Sequence, residues 1–220
     1  MENYNTIIWD MDGTLLDTLD DLTDSVNASL IMFNLPVRTI SEVRGFVGNG
    51  VMRLLELSVP SGKQHPQFDD IFSYFKDYYE KNSRNKTKPY SGLEKLLSEL
   101  KEQGYRMAIV SNKIEAAVKE LTELYFKDTI NVAIGDTEEI RRKPFPDMVL
   151  KAMRILNAEK ESTVYIGDTE VDIATAENTG INYICVSWGF REKQELMNAG
   201  AKNIIDTPEE LKGVLAKHFY

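Results

Sequence analysis

The chain has 220 residues, of which 42% are hydrophobic and 28% charged, and its formal net charge is −9 at pH 7. This length accommodates one core domain and a smaller inserted domain, and the composition is typical of a globular protein. The acidic balance excludes nucleic acid as the expected partner, because such a surface repels phosphodiester backbones. No apolar run reaches the length of a membrane span, which argues against a membrane protein.

The single cysteine, Cys185, lies in the apolar run 183–186. One cysteine cannot form an internal disulfide, which fits a reducing compartment, and we expect this residue to be a buried strand position. The first residues, 1–5, contain no basic stretch of the kind that opens a secretory signal. We therefore expect a cytoplasmic protein, and a monomer and a homodimer both remain open.

The first predicted strand runs from Thr6 to Trp9 and leads directly into Asp-Met-Asp-Gly-Thr at residues 10–14. Asp10 and Asp12 are two residues apart at a strand end, so both side chains can face the same way. Paired carboxylates suit a nucleophile and a general acid and base. The alternatives are a solvated Asp-Gly turn and the start of a calcium loop, but the glutamate required at the twelfth loop position is absent.

Residues 16–86 show helical periodicity and no strand pattern. This predicts a helical insertion over 16–86, with 1–15 and 87–220 forming the core domain. The apolar residues that carry this periodicity are Leu19, Leu22, Val26, Leu30, Val51, Leu54, Leu55, Phe68, Ile71, Phe72, Phe75, Tyr78 and Tyr79.

Strands and helices alternate through the rest of the chain. A capping box at 91–94 and Pro208 predict helix starts, and Gly104 predicts a helix end. The alternation predicts an α/β fold, a Rossmann-like parallel sheet with helices on both faces. The further predicted strands run from Arg106 to Val110, Val132 to Ile134, Thr163 to Ile166, Tyr183 to Val186 and Asn203 to Ile205.

Asp10, Ser111 and Asp168 each follow a different predicted strand. In a parallel sheet the carboxyl ends of the strands share one edge, and ligands bind there. We therefore expect these three side chains to meet in one crevice although they are far apart in sequence.

Asp168 and Asp172 are four residues apart, so they share one face if a helix begins there. Acidic residues at a helix start also occur as simple caps. Together with Asp10 and Asp12, however, they make an oxygen-rich site without nearby histidine or cysteine, which suits Mg²⁺.

Two further segments contain candidate phosphate ligands. Ser111 and Asn112 follow a core strand, where a hydroxyl and loop amides could bind phosphate oxygens, with a surface turn as the alternative. Lys143 lies in the basic patch 141–147 and could bring one ammonium to the site. Arg141 and Arg142 of the same patch are expected on a solvated face.

These segments, in this order, resemble the four motifs of the haloacid dehalogenase superfamily of phosphohydrolases. The resemblance spans nearly the whole chain, and it is the ordered set that makes it specific. The matching positions are Asp-x-Asp-Gly-Thr at 10–14, the serine at Ser111, Lys-Pro-x-Pro at 143–146 and Gly-Asp-x-x-x-Asp at 167–172.

The resemblance implies roles for the site residues. Asp10 would form an aspartyl-phosphate and Asp12 would act as general acid and base. Ser111 and Lys143 would bind the transferring phosphoryl group. Mg²⁺ would be held by Asp10, the backbone carbonyl of Asp12 and Asp168, with Asp172 close by.

The helical insertion resembles the small cap of this superfamily, which closes over small substrates. Gly48, Asn49 and Gly50 resemble the substrate loop of such caps. Arg53 is a candidate ligand for a substrate carboxylate, with an exposed helix residue as the alternative. The segments 48–50, 167–172 and 186–191 resemble the phosphoglycolate phosphatase-like group, which implies a small phosphorylated metabolite as substrate and phosphoglycolate as a candidate.

Other functions stay open at this point. A phosphotransferase resembling β-phosphoglucomutase has the same core. In such an enzyme a sugar phosphate accepts the phosphoryl group from Asp10, whereas in a hydrolase water accepts it. Inorganic pyrophosphate cleavage is another hydrolytic option. A non-catalytic binding protein would be indicated by loss of Asp10, Lys143 or Asp168, all of which are present.

Overall fold

The computed structural model describes residues 4–216, which fall into two compact units. The larger unit comprises Met1–Leu16 and Pro89–Tyr220, and the smaller unit is the continuous segment Asp17–Lys88. Within the described part of the chain, no helix has both the length and the apolar character needed to cross a bilayer.

The larger unit is built on a six-stranded sheet with the strand order β5-β4-β1-β6-β7-β8, in which every neighbouring pair is parallel. This confirms the predicted fold class. Two short strands, β2 and β3, form a separate two-stranded sheet. In chain order the strands are β1 (Thr6–Trp9), β2 (Leu16–Asp17), β3 (Lys88–Pro89), β4 (Arg106–Ile114), β5 (Val132–Asp136), β6 (Thr163–Gly167), β7 (Asn182–Val186) and β8 (Ile204–Ile205).

Helices cover both faces of the six-stranded sheet. Ile7 and Trp9 of β1 pack into one apolar cluster and Ile8 into another, since successive side chains of a strand point to opposite faces. The helices are α1 (Leu19–Met32), α2 (Ile40–Phe46), α3 (Gly50–Ser58), α4 (Phe68–Asn82), α5 (Leu93–Glu102), α6 (Glu115–Tyr125), α7 (Asp147–Leu156), α8 (Glu170–Thr179), α9 (Lys193–Asn198) and α10 (Glu210–Ala216), with a 3-10 turn at Gly62–Gln64.

The two apolar clusters explain why the sheet is buried on both sides. The first cluster draws on α5, α6 and α10, and the second on α7 and α8. Leu97 and Val149, both fully buried, are central examples from opposite faces. Each such aliphatic side chain stabilises the fold by about 1.5–3 kcal/mol through its burial.

The register of the sheet aligns the strand ends that carry the predicted site residues. Trp9, the last residue of β1, lies opposite Ile109 of β4 and Ile166 of β6. The residues that follow these three positions therefore emerge at the same edge of the sheet. This edge contains Asp10 and Asp168.

The smaller unit is helical, and α1 packs on α4. Leu22 and Val26 of α1 and Ile71 and Phe75 of α4 are buried, as their helical spacing predicts. The helix over Ile40–Phe46 is not predicted by the spacing of apolar residues, although Thr39 and Glu42 form a capping box there. The absence of a strand pattern over residues 16–86 was wrong at the start of that segment, because Leu16 and Asp17 form the short strand β2.

Local details of the larger unit also differ from the predictions. The capping box expected at 91–94 is absent, because Gly92 has a φ of +87° and is itself the N-cap of α5 without a side-chain cap. The last helix begins at Glu210 and not at Pro208. The strand expected to end at Val110 continues to Ile114, a difference that matters for the site.

Candidate active site

Four charged side chains from three segments of the chain converge at the carboxyl edge of the sheet. Asp10 follows β1, Asp168 follows β6, Asp172 belongs to the first turn of α8, and Lys143 precedes α7. All four residues are buried, with exposures of 6%, 0%, 1% and 3%. The predicted convergence of strand-end aspartates is therefore present, and Lys143 joins it.

Lys143 is bound by three oxygen atoms. Its Nζ lies 2.8 Å from Asp10 Oδ1 and 2.7 Å from Asp172 Oδ1, and it donates to Tyr165 Oη at 3.1 Å. The Tyr165 hydroxyl also donates to Asp172 Oδ1 at 3.1 Å. These contacts fix the ammonium directly beside the Asp10 carboxylate.

Asp168 is oriented by groups on two loops. Its Oδ1 accepts from Thr14 Oγ1 at 2.9 Å and its Oδ2 accepts from the backbone N–H of Phe190 at 2.7 Å. Gly13 makes this approach possible, because a Cβ at that position would lie 2.2 Å from Asp168 Oδ2. Its φ of +82° is also a conformation that favours glycine.

Asp172 both caps a helix and contacts the reactive groups. Its Oδ2 accepts from the N–H of Thr169 at 3.0 Å and from Thr169 Oγ1 at 2.7 Å, which completes a capping box at the start of α8. Its Oδ1 binds Lys143. The capping role that the sequence suggested as an alternative therefore coexists with a place in the charged cluster.

The three carboxylates are arranged as a candidate cation site. Asp10, Asp168 and Asp172 each place an oxygen within 4.8 Å of the others, and this is the sole group of that kind found among residues 4–216. The donors are all carboxylate oxygens, a hard ligand set that fits Mg²⁺. Three carboxylates around one ammonium also leave an excess of negative charge, which a divalent cation would neutralise.

Burial and the neighbouring charges shift the pKa values of the groups in the cluster. Burial raises the pKa of Asp10 to about 7, against the opposing attraction of Lys143 and with a further increase from Asp172. Burial also raises the pKa of Asp168 well above its usual value, and Asp172 and Asp10 add to the increase. Burial alone would lower the pKa of Lys143, but the Asp10 and Asp172 carboxylates outweigh it and raise that pKa well above its usual value.

A bulge in β4 places the second group of predicted residues. The pairing of β4 with β5 runs to Val110 opposite Ile134 and resumes at Ile114 opposite Asp136, so β4 holds two extra residues in between. Such bulges redirect side chains, often next to active sites. The residues of the bulge are Ser111, Asn112 and Lys113, all of them buried.

Asp12 is held by a residue of this bulge. Lys113 Nζ donates to Asp12 Oδ1 at 2.9 Å, and the two side chains are 1% and 15% exposed. Asn112, predicted to bind substrate, donates its side-chain N–H to the backbone carbonyl of Lys143 at 3.1 Å. Ser111 Oγ accepts from the N–H of Lys113 at 3.2 Å.

The remaining predicted residues belong to the smaller unit and do not contribute to the carboxylate cluster. Gly48 and Gly50 have φ values of +124° and +79°, and Asn49 is the N-cap of α3. Arg53 forms an ion pair with Glu56 at 2.9 Å, and its side chain is 47% exposed. Arg53 is thus an exposed residue of α3, which was the alternative to a role in substrate binding.

Three residues without a predicted role contact the predicted site residues. They are Lys113, Tyr165 and Thr14. The predicted strand ends at Val110, so Lys113 lies beyond it and has no predicted orientation. Its spacing of two residues from Ser111 was the available signal, since alternate residues of an extended strand share a face. Tyr165 carried no signal beyond its place in an apolar strand.

The sequence profile of a family described as haloacid dehalogenase-like hydrolase matches residues 7–186 of this chain. The chain therefore belongs to the haloacid dehalogenase-like hydrolases, and the residues of the charged cluster all lie within the matched span.

Individual relatives agree with this assignment. A phosphoglycolate phosphatase from Nitrosococcus oceani is 29% identical over 216 residues, which is 96% of each chain. One from Aquifex aeolicus is 31% identical over 185 residues, or 84% of this chain and 85% of its own. A solved structure from Lactobacillus delbrueckii, described provisionally as a phosphoglycolate phosphatase, has a TM-score of 0.92 at 33% identity, with 97% of this chain and 98% of that chain covered. The chain is thus an enzyme, a phosphoric monoester hydrolase of this family.

Proposed function

We propose that the chain is a magnesium-dependent phosphatase of small phosphorylated metabolites that uses Asp10 as its nucleophile. The observation that carries this proposal is the buried Asp10 carboxylate, 2.8 Å from Lys143 Nζ and within 4.8 Å of the Asp168 and Asp172 oxygens. A nucleophile, a fixed positive charge and a hard cation site are together what phosphoryl transfer requires.

Asp10 and Asp12 divide the first chemical step. A carboxylate oxygen of Asp10 attacks the phosphorus atom, and the bond from phosphorus to the ester oxygen breaks. Asp12 gives its proton to the departing ester oxygen, which leaves as an alcohol. The positive charge of Lys143 offsets the repulsion between the anionic nucleophile and the anionic phosphate. The product on the enzyme is an aspartyl-phosphate at Asp10.

Hydrolysis of that intermediate reverses the role of Asp12. The Asp12 carboxylate accepts a proton from water, the water oxygen attacks phosphorus, and inorganic phosphate leaves as the Asp10 carboxylate is restored. Ser111, next to β1 in the sheet, is proposed to bind phosphoryl oxygens together with Lys143.

Asp10, the backbone carbonyl of Asp12 and Asp168 are proposed to hold Mg²⁺, with Asp172 supporting the site. When bound, the ion supplies positive charge that screens the phosphate oxygens and the Asp10 carboxylate from each other. Thr14 and the Phe190 N–H orient Asp168 for this role, as their contacts of 2.9 and 2.7 Å indicate.

Phosphoglycolate is the substrate that we propose first, because the relatives from Nitrosococcus oceani and Aquifex aeolicus carry the name of that activity. The smaller unit is proposed to act as a cap that selects the substrate. Gly48, Asn49 and Gly50 would approach the ligand through their backbone, and Arg53 would exchange Glu56 for the carboxylate of phosphoglycolate.

Phosphate release from a panel of compounds, with and without Mg²⁺, tests the proposal. The panel contains phosphoglycolate, pyrophosphate, sugar phosphates, nucleotides and 4-nitrophenyl phosphate. Asp10→Asn should abolish release. Asp206→Asn is the matched control, because Asp206 follows β8 at the same edge of the sheet but pairs with Lys193 outside the cluster.

Magnesium-dependent release that Asp10→Asn abolishes and Asp206→Asn preserves would support the mechanism, and the preferred compound would define the specificity. Full activity in EDTA would contradict the metal requirement. Conversion of β-glucose 1-phosphate to its 6-phosphate without phosphate release would replace the hydrolase by a phosphotransferase.

A further inference from the structure

Lys113 is a buried cation that the mechanism above does not use. Its side chain is 1% exposed, and the residue lies in the bulge of β4. Long ammonium side chains are rarely buried unless they are paired, since an unpaired charge in the interior is costly. The paired group here is Asp12, the proposed general acid and base.

The contact leaves the two oxygens of Asp12 in different situations. Oδ1 receives the Lys113 ammonium at 2.9 Å. Within residues 4–216, no hydrogen bond to Oδ2 is found. One oxygen is therefore anchored, and the other remains available to a substrate or a water molecule.

The backbone around Lys113 is fixed by close packing. A Cβ at Gly135 would lie 2.8 Å from the Lys113 carbonyl oxygen and 2.3 Å from the Cα of Glu115, so only glycine fits opposite the bulge. The Lys113 N–H is also bound to Ser111 Oγ. These contacts restrict where the ammonium can lie, and thereby where it holds Asp12.

We propose that Lys113 is a positioning residue that anchors Oδ1 of Asp12, so that Oδ2 alone exchanges protons during catalysis. In the first step the proton on Oδ2 passes to the departing ester oxygen as the bond to phosphorus breaks. In the second step Oδ2 takes a proton from the attacking water. Lys113 remains an ammonium throughout. This inference rests on the proposed function, since it assigns a support to its acid and base.

Leaving-group dependence separates this role from a general effect of charge. An alkyl phosphate needs a proton on its leaving oxygen, whereas 4-nitrophenolate leaves without one. We expect Lys113→Met to lower kcat/KM for phosphoglycolate, or the best alkyl substrate, by at least about tenfold, part of the 10²–10⁴-fold that acid–base catalysis contributes. For 4-nitrophenyl phosphate we expect a loss of less than about threefold, because that step needs little general acid catalysis.

The second step gives an independent readout with the aryl substrate. If water is activated less well, the aspartyl-phosphate should accumulate, and 4-nitrophenolate should appear in a burst followed by a slower steady rate. Labelled phosphate retained on the acid-quenched protein measures the intermediate directly. A smaller fraction of folded protein would instead lower the size of the burst and the steady rate by the same factor.

Three further variants complete the design. Lys113→Arg keeps the charge and the donor and should recover part of the alkyl phosphate activity. Asp12→Asn should show the same selectivity in a stronger form. Lys119→Met is the matched control, because Lys119 makes a similar 3.0 Å ion pair with Glu115 but is 61% exposed, and it should behave like wild type.

Equal losses of kcat/KM on alkyl and aryl substrates in Lys113→Met would overturn the proposal in favour of a general charge effect. Unchanged kcat/KM on both substrates would overturn it as well, because Lys113 would then have no part in catalysis. Lys113→Gln is measured in parallel in case the Met variant does not fold. If neither variant folds by circular dichroism, Lys113 is a requirement of the fold and the positioning role is withdrawn. A wild-type protein without magnesium-dependent activity would instead refute the proposed function itself.

Discussion

Asp10 in the larger unit and Asp21 in the smaller unit are both buried aspartates, with exposures of 6% and 2%. Their surroundings differ. Asp21 accepts hydrogen bonds from the N–H groups of Lys86 and Thr87 and from Thr87 Oγ1, at 2.9 to 3.1 Å. Asp10 is bound by the Met11 N–H and the shared ammonium of Lys143, and it faces other carboxylates.

The comparison shows how two buried carboxylates acquire different uses. A carboxylate surrounded by neutral donors is stabilised, and Asp21 ties the start of α1 to the segment after α4. A carboxylate crowded by like charges is destabilised until a cation or a proton arrives. The number of neutral donors around each carboxylate, more than its burial, therefore distinguishes Asp10, the proposed nucleophile, from Asp21.

The largest effect should come from removing a carboxylate of the cluster. Asp168→Asn should lower kcat/KM by more than about 100-fold, because loss of a proposed direct metal ligand should exceed the 10- to 100-fold cost of an outer-shell change. Asp21→Asn should leave the activity of the folded protein close to wild type. Initial rates across a Mg²⁺ titration measure both, and a similar loss in both variants would break the comparison.

Magnesium should stabilise the protein through the cluster. At 100 times the dissociation constant, binding to the native state alone adds about 2.7 kcal/mol to the free energy of unfolding. Thermal unfolding followed over a Mg²⁺ titration would measure this increase, with protein in EDTA and without added Mg²⁺ as the reference. Asp21→Asn should retain the increase and Asp168→Asn should lose most of it, whereas an unchanged increase in Asp168→Asn would place the ion elsewhere.

Asp21→Asn should destabilise the protein. The amide keeps one acceptor but turns an N–H toward the donors of Lys86 and Thr87, which leaves buried groups unsatisfied at a cost of about 1–3 kcal/mol. Urea unfolding of the variant measures the loss. Asp20→Asn is the control, because Asp20 lies in the same first turn of α1 but is exposed, and an equal loss there would assign the effect to the helix start.

The smallest expected effect is the pH dependence of the metal-free protein. The pKa of Asp10 is raised to about 7, above the value of about 3.9 expected in the unfolded chain. A raised pKa contributes stability that is fully present below the unfolded value and is lost as pH rises through the folded value. The free energy of unfolding should therefore fall by about 1 kcal/mol between pH 6 and pH 8 from this group.

Urea unfolding in EDTA at the two pH values would measure the fall. Asp10→Asn removes the titrating group, so its stability should change less over the same interval. If the stability of the wild-type protein did not fall between pH 6 and pH 8, Asp10 would be ionised in the metal-free protein.

The sequence predicted the parts of the site that depend on strand ends. Asp10 and Asp168 follow short apolar runs, and a parallel sheet brings such positions together whatever their separation along the chain. The roles of these residues remain proposals, but their placement agrees with the prediction.

The parts that the sequence did not predict depend on long-range contacts or on irregular backbone. Lys113 enters the site through a bulge in β4, and a bulge has no signature in the alternation of apolar residues. The sequence predicts no role for Asp21, because its donors lie 65 and 66 positions away. Gly92, and not Ser91, is the N-cap of α5, because its backbone adopts a positive φ that the order of residues does not reveal.

The central place of β1 in the sheet has a consequence for synthesis on the ribosome. Its two neighbours are β4, which begins at Arg106, and β6, which begins at Thr163. The smaller unit, by contrast, is one continuous segment that ends at Lys88. During translation, which proceeds from the N-terminus, the strand before the proposed nucleophile is thus made before both of its sheet neighbours, and it can be enclosed by them only after the whole smaller unit has been made.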